Sequence, residues 1–296
     1  MKLIKIIQLL RPKQWVKNLF IFAPILFSGL LTDLGVLLIN IEAFIAFCLV
    51  SSAVYVINDI SDVEADRAHK KKRFRPIASG DVSIPEARIV FVILLALAIA
   101  ICFIMNVKFI IAIGLYFVIN VMYTYFIKNV VLLDVFFISF GFMLRVAAGA
   151  FAIDVQLSSW MILTTIFISL FLGISKRRAE LSQSDLENIP KQRKVLEQYS
   201  IVFTDQMNTI AATGTIISYA LYTVSEKAVE AFHSDNLIYT TPFVIYGIFR
   251  YMYLIHKKNL GESPTQIVTK DPAIIINSVL WFVISFAIIY KSKFGL

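Results

Sequence analysis

The sequence predicts an all-α integral membrane protein with about nine transmembrane helices. Three observations carry that expectation. The chain has 296 residues, of which 58% are hydrophobic and only 16% charged, whereas a soluble domain is nearer a quarter charged; its mean hydropathy is +0.78. The apolar residues fall in long runs rather than short alternating ones, and each run is close to the ~20 residues a helix needs to cross a bilayer. Lys and Arg gather in alternate loops, the pattern that sets membrane topology. The formal net charge of +8 would fit a nucleic-acid partner by its size. The placement of the charges argues for anionic headgroups instead, with no nucleic acid.

Taken in order, the apolar segments lie at roughly 15–36, 40–57, 86–105, 108–127, 130–153, 157–175, 202–224, 237–256 and 272–291. Pro24 and Gly29 are expected to kink or break the first. Two connecting loops are long, 58–85 and 176–201, and a third, 257–271, is intermediate. With the N-terminus in the cytoplasm, all three fall on the cytoplasmic side together with most of the Lys and Arg. The opposite side keeps Lys108, Lys227, Lys291 and Lys293. The expectation is thus a single polytopic domain over 1–296 in the inner (cytoplasmic) membrane, N-terminus in and C-terminus out, with 58–85 and 176–201 as cytoplasmic cap loops. Cys48 and Cys102 lie inside apolar runs and read as packing residues.

The most informative stretch is Asn58-Asp59-Ile-Ser-Asp62-Val-Glu64-Ala-Asp66. At about 100° per residue, Asp59, Asp62 and Asp66 share one helix face and Glu64 points away. Three hard oxygen donors on one stripe suit Mg²⁺, which takes one or two carboxylates and completes its shell with water and phosphate oxygens. A basic run follows at once, Arg67, Lys70, Lys71, Lys72, Arg73 and Arg75, then Pro76 and Gly80 as turn formers. Acid followed by base beside a bilayer reads as a magnesium-diphosphate site, with Arg73 and Arg75 as phosphate forks. The alternative for these arginines is topology marking alone.

Lys176, Arg177, Arg178 and Glu180 follow the sixth segment. They read either as a second phosphate clamp or, for Lys176 and Glu180, as a surface i, i+4 ion pair. Asp134 and Arg145 fall within the fifth segment, where ionisable groups are costly and mark function by default. Eleven residues apart, they lie about 16 Å apart along a helix, too far to pair, so lining one polar cavity is the functional reading. The alternatives are a boundary position near Lys128 for Asp134 and a neighbouring-helix partner for Arg145. Trp15 reads as an interface anchor, while Lys17 and Asn18 could reach a bound phosphate.

These residues converge on a known family. Asn58-Asp59-x-x-Asp62-x-x-x-Asp66 with Arg75-Pro76-x-x-Ser79-Gly80 resembles the UbiA superfamily of intramembrane polyprenyl transferases. That resemblance implies nine helices around a central polar cavity opening to the cytoplasm, Mg²⁺-diphosphate on the first aspartate motif, and for some members a trimer. A second aspartate motif common in the superfamily is replaced here by Lys176-Arg177-Arg178-Ala-Glu180. With Arg11-Pro12-x-Gln14-Trp15-x-Lys17-Asn18, Tyr123-Thr124 to Lys128 and Gly141-Phe-x-Leu-Arg145-x-x-Ala148-Gly149, this departure looks like the decaprenyl-phosphate phosphoribosyltransferase branch.

The resemblance therefore implies Mg²⁺-dependent transfer of 5-phosphoribose from phosphoribosyl pyrophosphate (PRPP) to a polyprenyl phosphate. Asp59, Asp62 and Asp66, with Asn58 supporting, would hold the metal. Lys176, Arg177, Arg73 and Arg75 would hold PRPP, and Lys17, Lys128 or Arg145 the lipid phosphate. Two rival expectations stand beside it. One is an aromatic polyprenyltransferase, favoured by a second carboxylate pair such as Glu180 with Asp185, or Asp185 with Glu187. The other is a transporter of an anionic metabolite or lipid using Asp134 and Arg145.

Overall fold

The computed structural model describes residues 2–69, 71–187, 194–258 and 264–291. Among them there are helices and turns and no strand. In chain order the α-helices are α1 (Lys2–Leu10), α2 (Ala23–Phe27), α3 (Leu34–Ser61), α4 (Val63–Arg67), α5 (Ile84–Cys102), α6 (Val107–Tyr125), α7 (Leu133–Ala152), α8 (Ser159–Glu187), α9 (Ile201–Thr223), α10 (Glu226–Phe232), α11 (Thr241–Lys258), α12 (Pro264–Lys270) and α13 (Pro272–Tyr290). Five 3-10 helices join them; one, Pro12–Phe22, runs for 11 residues.

Six helices are long and apolar enough to cross a membrane by length and composition: α3, α5, α6, α7, α13 and the Ser159–Ser184 part of α8. Their outward faces are greasy. On α5, Ile89, Val92, Ile93, Leu97 and Ile99 are all exposed, which water would penalise and lipid would not. The chain is therefore a multi-pass membrane protein.

The expected first segment, 15–36, is not one helix. The 3-10 helix ends at Phe22, α2 stops at Phe27, and Gly29 takes a left-handed φ of +72°, a conformation that is cheap for glycine alone. Asp33 then opens α3 by accepting from the Gly35 and Val36 amides at 2.9 and 3.2 Å, the usual N-cap solution for orphan donors. The second segment accordingly starts six residues earlier than 40. Both expected cap loops are shorter than predicted. Helix α3 continues to Ser61, and α8 continues through Lys176, Arg177 and Arg178 to Glu187, because nothing between Ser159 and Glu187 breaks a helix.

Contacts divide the chain into two compact units. Unit 1 is Met1–Ala23, Asp33–Phe126 and Leu144–Val155; unit 2 is Pro24–Thr32, Ile127–Met143 and Gln156–Leu296. In unit 1, α3 packs on α5, α6, α1 and the Pro12–Phe22 helix. Part of its core is Leu9, Ala53, Val56, Ile77, Val82, Ala87 and Leu94. Ser83 and Glu86 form a capping box at the start of α5, and Asn106 caps α6 by accepting from the Phe109 amide at 2.9 Å. In unit 2, α8 packs along α9, and α11 packs on α9 and α13. One of its cores gathers Val135, Phe171, Ile174, Ala212, Ile248 and Ile255.

Candidate active site

Unit 1 holds the acidic motif. The last turn of α3 places Asp59 inside, 2% exposed, and α4 brings Asp66 in beside it at 3%. Arg75 joins the two: its Nη1 donates to Asp59 Oδ1 at 3.0 Å and to Asp66 Oδ2 at 2.5 Å. Arg11 also donates to Asp59 Oδ1, and its guanidinium lies 4.8 Å from the Tyr55 ring centre. Two buried carboxylates thus converge on two guanidiniums, the pairing that buried charge requires.

Local chain geometry builds this arrangement. Pro76 disfavours helix at the residue before it, and Arg75 is extended at φ −65°, ψ 145°. The following turn is closed by the Val82 amide on the Pro76 carbonyl at 2.9 Å and by the Ser79 hydroxyl on the Arg75 carbonyl at 2.9 Å. Gly80 supplies the left-handed φ of +82° that the turn needs. Arg11 is itself left-handed at φ 53°, ψ 57°. A non-glycine residue there carries strain, of a kind that collects at functional sites.

The single stripe expected for Asp59, Asp62 and Asp66 forms only in part. Helix α3 ends at Ser61, and Asp62 sits between helices at φ −98°, ψ 9°, so a constant turn per residue does not run through to Asp66. Asp62 is half-buried and electrostatically coupled to Asp59. Among the described residues, no three carboxylate, imidazole or thiol groups stand together as a metal site. The donor chemistry nevertheless fits a hard divalent cation. Asp59 and Asp66 oxygens already meet at one cationic nitrogen, and hard oxygens are what Mg²⁺ takes. Glu64 points outward and pairs with Arg67 at 2.9 Å, as the periodicity predicted. Asn58 is half-buried, and its carbonyl accepts from the Asp62 amide at 2.9 Å.

A second polar cluster in unit 1 centres on Arg145, which is 6% exposed. Its Nε donates to Asn18 Oδ1 at 2.8 Å and its Nη2 to the Tyr116 hydroxyl at 2.7 Å. Asn18 in turn donates to Ser51 Oγ at 3.2 Å and Cys48 Sγ at 3.3 Å. The run of small residues after Arg145 lets the Pro12–Phe22 helix approach. A Cβ on Gly149 would stand 2.1 Å from the Ile21 carbonyl oxygen, so only glycine fits. Lys17, one residue from Asn18, is half-buried.

Unit 2 holds the basic motif. Asp134 is fully buried. It accepts from Arg177 Nε at 2.6 Å and from the Tyr199 hydroxyl at 2.8 Å. Arg177, 1% exposed, also donates to Glu180 Oε2 at 2.8 Å, while Lys176 lies 3.8 Å from Glu180 Oε1. The Tyr199 hydroxyl accepts from the Leu132 amide at 2.8 Å. Burial, then the Asp134 acceptor, pushes its phenol well above the ordinary value, so Tyr199 remains a donor.

Asp134 and Arg145 each have their own buried partners, Arg177 and Tyr199 for the one and Asn18 and Tyr116 for the other. Glu180 is engaged by Arg177 and Lys176, which takes it away from a second carboxylate pair; the side chains of Asp185 and Glu187 lie outside the described residues. Arg73 is exposed and stacks on Phe74 at 4.8 Å, so of the two expected forks only Arg75 meets the carboxylates. Lys128 is half-buried in unit 2. Sequence reasoning missed Arg11, Tyr116 and Tyr199 as members of these clusters. For Arg11 the signal was present, since it opens the same Arg-Pro segment that carries Lys17 and Asn18.

Fold and clusters together define a helical intramembrane protein with a buried carboxylate-arginine centre beside a basic loop. Comparison with known proteins makes this specific. Residues 21–269 match the UbiA prenyltransferase family, and the chain belongs to that family. It is 35% identical over 284 residues to a decaprenyl-phosphate phosphoribosyltransferase of Corynebacterium glutamicum, covering 93% of this chain and 83% of the relative. It is 35% identical over 298 residues to the protein so named in Mycolicibacterium smegmatis, covering 97% and 93%. A solved UbiA homolog from Archaeoglobus fulgidus, bound to GPP and Mg²⁺, superposes with a TM-score of 0.72 over 96% of this chain and 99% of that one. At 20% identity that likeness is one of fold.

Proposed function

We propose that the protein transfers 5-phosphoribose from PRPP to a polyprenyl phosphate of the decaprenyl type, giving polyprenylphosphoryl-5-phosphoribose and pyrophosphate, with Mg²⁺ as cofactor. One observation carries the reading. The Asp59, Asp66, Arg75 and Arg11 cluster is built in a chain about one-third identical, over nearly all its length, to proteins named for this activity.

In the reaction, an oxygen of the lipid phosphate attacks the anomeric carbon as the bond to pyrophosphate breaks, inverting that centre. The acceptor is already an anion, so no general base is needed and catalysis is positioning plus charge stabilisation. Asp59 and Asp66, with Asp62 and Asn58 beside them, would hold Mg²⁺. The ion supplies neutralisation of charge on the departing pyrophosphate. Arg75 binds the pyrophosphate, and Arg73 lies in the same loop to meet the incoming sugar phosphate. Lys176 serves the sugar phosphate too, because its side chain is 36% exposed whereas Arg177 is already enclosed by Asp134 and Glu180. Arg177 is thus a positioning residue. Lys17 and Lys128 serve the lipid phosphate, and Arg145 orders Asn18 next to Lys17.

The positive-inside charge pattern supports an inner-membrane protein with the site on the cytoplasmic side, where soluble PRPP is available. Helices α9 and α11 and the segment 12–27 bring the crossings to nine in this reading.

Purified protein, ribose-labelled PRPP, Mg²⁺ and decaprenyl phosphate test the proposal. Label should enter the organic phase and release an equal amount of pyrophosphate. Label that stays aqueous, with turnover of a prenyl diphosphate and an aromatic acceptor instead, would refute it.

A further inference from the structure

The carboxylate pair of unit 1 carries its own counter-ions. Asp59 and Asp66, almost out of solvent, bring two negative charges, and Arg11 and Arg75 bring two positive ones at bonded distance. A divalent cation entering this set as it stands would meet a neutral, pre-paired cluster with guanidinium in its place. A cation arriving with a diphosphate is different, because the anion offers the displaced guanidiniums new oxygen partners of the bidentate kind they favour.

We infer that Arg11 and Arg75 are exchangeable counter-ions. They hold Asp59 and Asp66 in the free enzyme and pass to the diphosphate when the metal takes the carboxylates, so metal and diphosphate bind as a unit and each weakly alone. Arg11 thereby becomes a diphosphate-binding residue. The inference builds on the proposed reaction only in its use of a diphosphate donor.

Three features of this chain favour exchange over a fixed salt bridge. Arg75 bonds both carboxylates through one nitrogen, Nη1, so its fork is not used in the matched two-nitrogen fashion of a permanent Arg-carboxylate pair. Arg11 is held at a left-handed backbone angle, a strained state whose release would accompany a change of partner. Both arginine side chains keep some exposure, 23% and 28%, while the carboxylates have 2% and 4%; the cations can move and the anions are fixed. Coupling between two ligands that share such an element is reciprocal.

Mn²⁺, an oxygen-preferring stand-in for Mg²⁺ that can be followed by electron paramagnetic resonance, gives the test. The full-length protein in detergent is titrated with Mn²⁺ alone and with preformed Mn²⁺-pyrophosphate, for wild type, Arg75→Gln and Arg11→Gln. Wild type should bind Mn²⁺ alone about tenfold or more weakly than the complex, within the usual span of coupling between sites. Each Gln variant should bind Mn²⁺ alone more tightly than wild type and the complex less tightly, so the gap narrows from both sides. Thermal melting gives a second readout that survives a fragile variant: Mn²⁺ alone should raise the melting temperature of Arg75→Gln more than that of wild type. Mn²⁺ affinity unchanged or lowered in Arg75→Gln overturns the inference, as does wild type that binds bare Mn²⁺ as well as the complex. Because pyrophosphate carries no sugar, these outcomes stand apart from the phosphoribosyl assay. Loss of label transfer would refute the activity and leave the exchange intact.

Discussion

Asp59 has two guanidiniums against one oxygen, and Asp66 shares one of them, so charge removal here must be made with shape kept. Asp59→Asn and Asp66→Asn are predicted to lower turnover at least ~100-fold, the loss of roughly 3 kcal/mol expected when one partner of a charge-assisted contact goes. Glu64→Ala, whose carboxylate is 82% exposed, should leave activity within about twofold, in keeping with the small worth of exposed ion pairs. Equal damage from Glu64→Ala and Asp66→Asn at matched folded fraction would sink the assignment of faces. The opposite facing of Asp66 and Glu64 was legible in the sequence because both lie on α4, two residues apart. The pairing of Asp59 with Arg11 was not. It depends on a contact across 48 residues, which periodicity does not encode. Arg145 was singled out because a membrane-depth guanidinium must be compensated, and its compensation by Asn18 and Tyr116 could only be seen in three dimensions. Arg145→Ala should cost about 1.5–3 kcal/mol for each lost bond to the charged group and lower melting temperature and activity together. Arg145→Lys keeps the charge but not the fork. Activity falling further than folded fraction in Arg145→Lys would show that Arg145 serves the reaction through Asn18 and Lys17; equal falls would make it structural.

At the scale of elements, the positions of most helices follow from hydropathy, whereas their ends follow from capping and local breaks. Asp33, Ser83, Asn106, Ser200 and Asp271 each accept from a first-turn amide, and the starts of α3, α5, α6, α9 and α13 are set by them. The C-terminal limits of α3 and α8 lie beyond the apolar runs because polar composition does not end a helix by itself. Lys, Arg and Glu at 176–187 propagate a helix readily, and Asn, Asp and Ser at 58–61 cost roughly a few tenths of a kcal/mol each once it is nucleated. The break of the first apolar segment into a 3-10 helix and α2 has a tertiary side as well. Gly149 of α7 packs on the Ile21 carbonyl, an approach that any side chain would block. Gly149→Ala is predicted to destabilise the protein by about 1–3 kcal/mol, the range for overpacking a close contact. It should also lower activity in proportion to folded protein, since Arg145 lies one turn before it on α7. A melting temperature within 1 °C or so of wild type would show that the two elements separate at little cost.

Across the whole molecule, composition and charge placement were enough to give an all-helical multi-pass membrane protein, because the bilayer leaves few alternatives for backbone polar groups. The count of crossings was less legible. Nine apolar segments are counted in the sequence, whereas among the described residues six helices are long and apolar enough to cross; α9 is not among them, and its first half carries Thr204, Asp205, Gln206, Asn208 and Thr209. The reaction was legible only through the combination of motifs. An acidic motif alone fits any diphosphate-using transferase, and the exchange of a second acidic motif for Lys176, Arg177 and Glu180 is what points to a phosphorylated donor and an anionic acceptor. The most direct measurement therefore joins the acidic centre to the reaction. Wild type and Asp66→Asn, at equal folded fraction, are given ribose-labelled PRPP, decaprenyl phosphate and Mg²⁺, and the organic phase is counted. The account predicts label in the lipid fraction for wild type, lost when Mg²⁺ is chelated, and at most ~1% of it for Asp66→Asn. Label transfer by Asp66→Asn at the wild-type rate, or by wild type without a divalent cation, would contradict it.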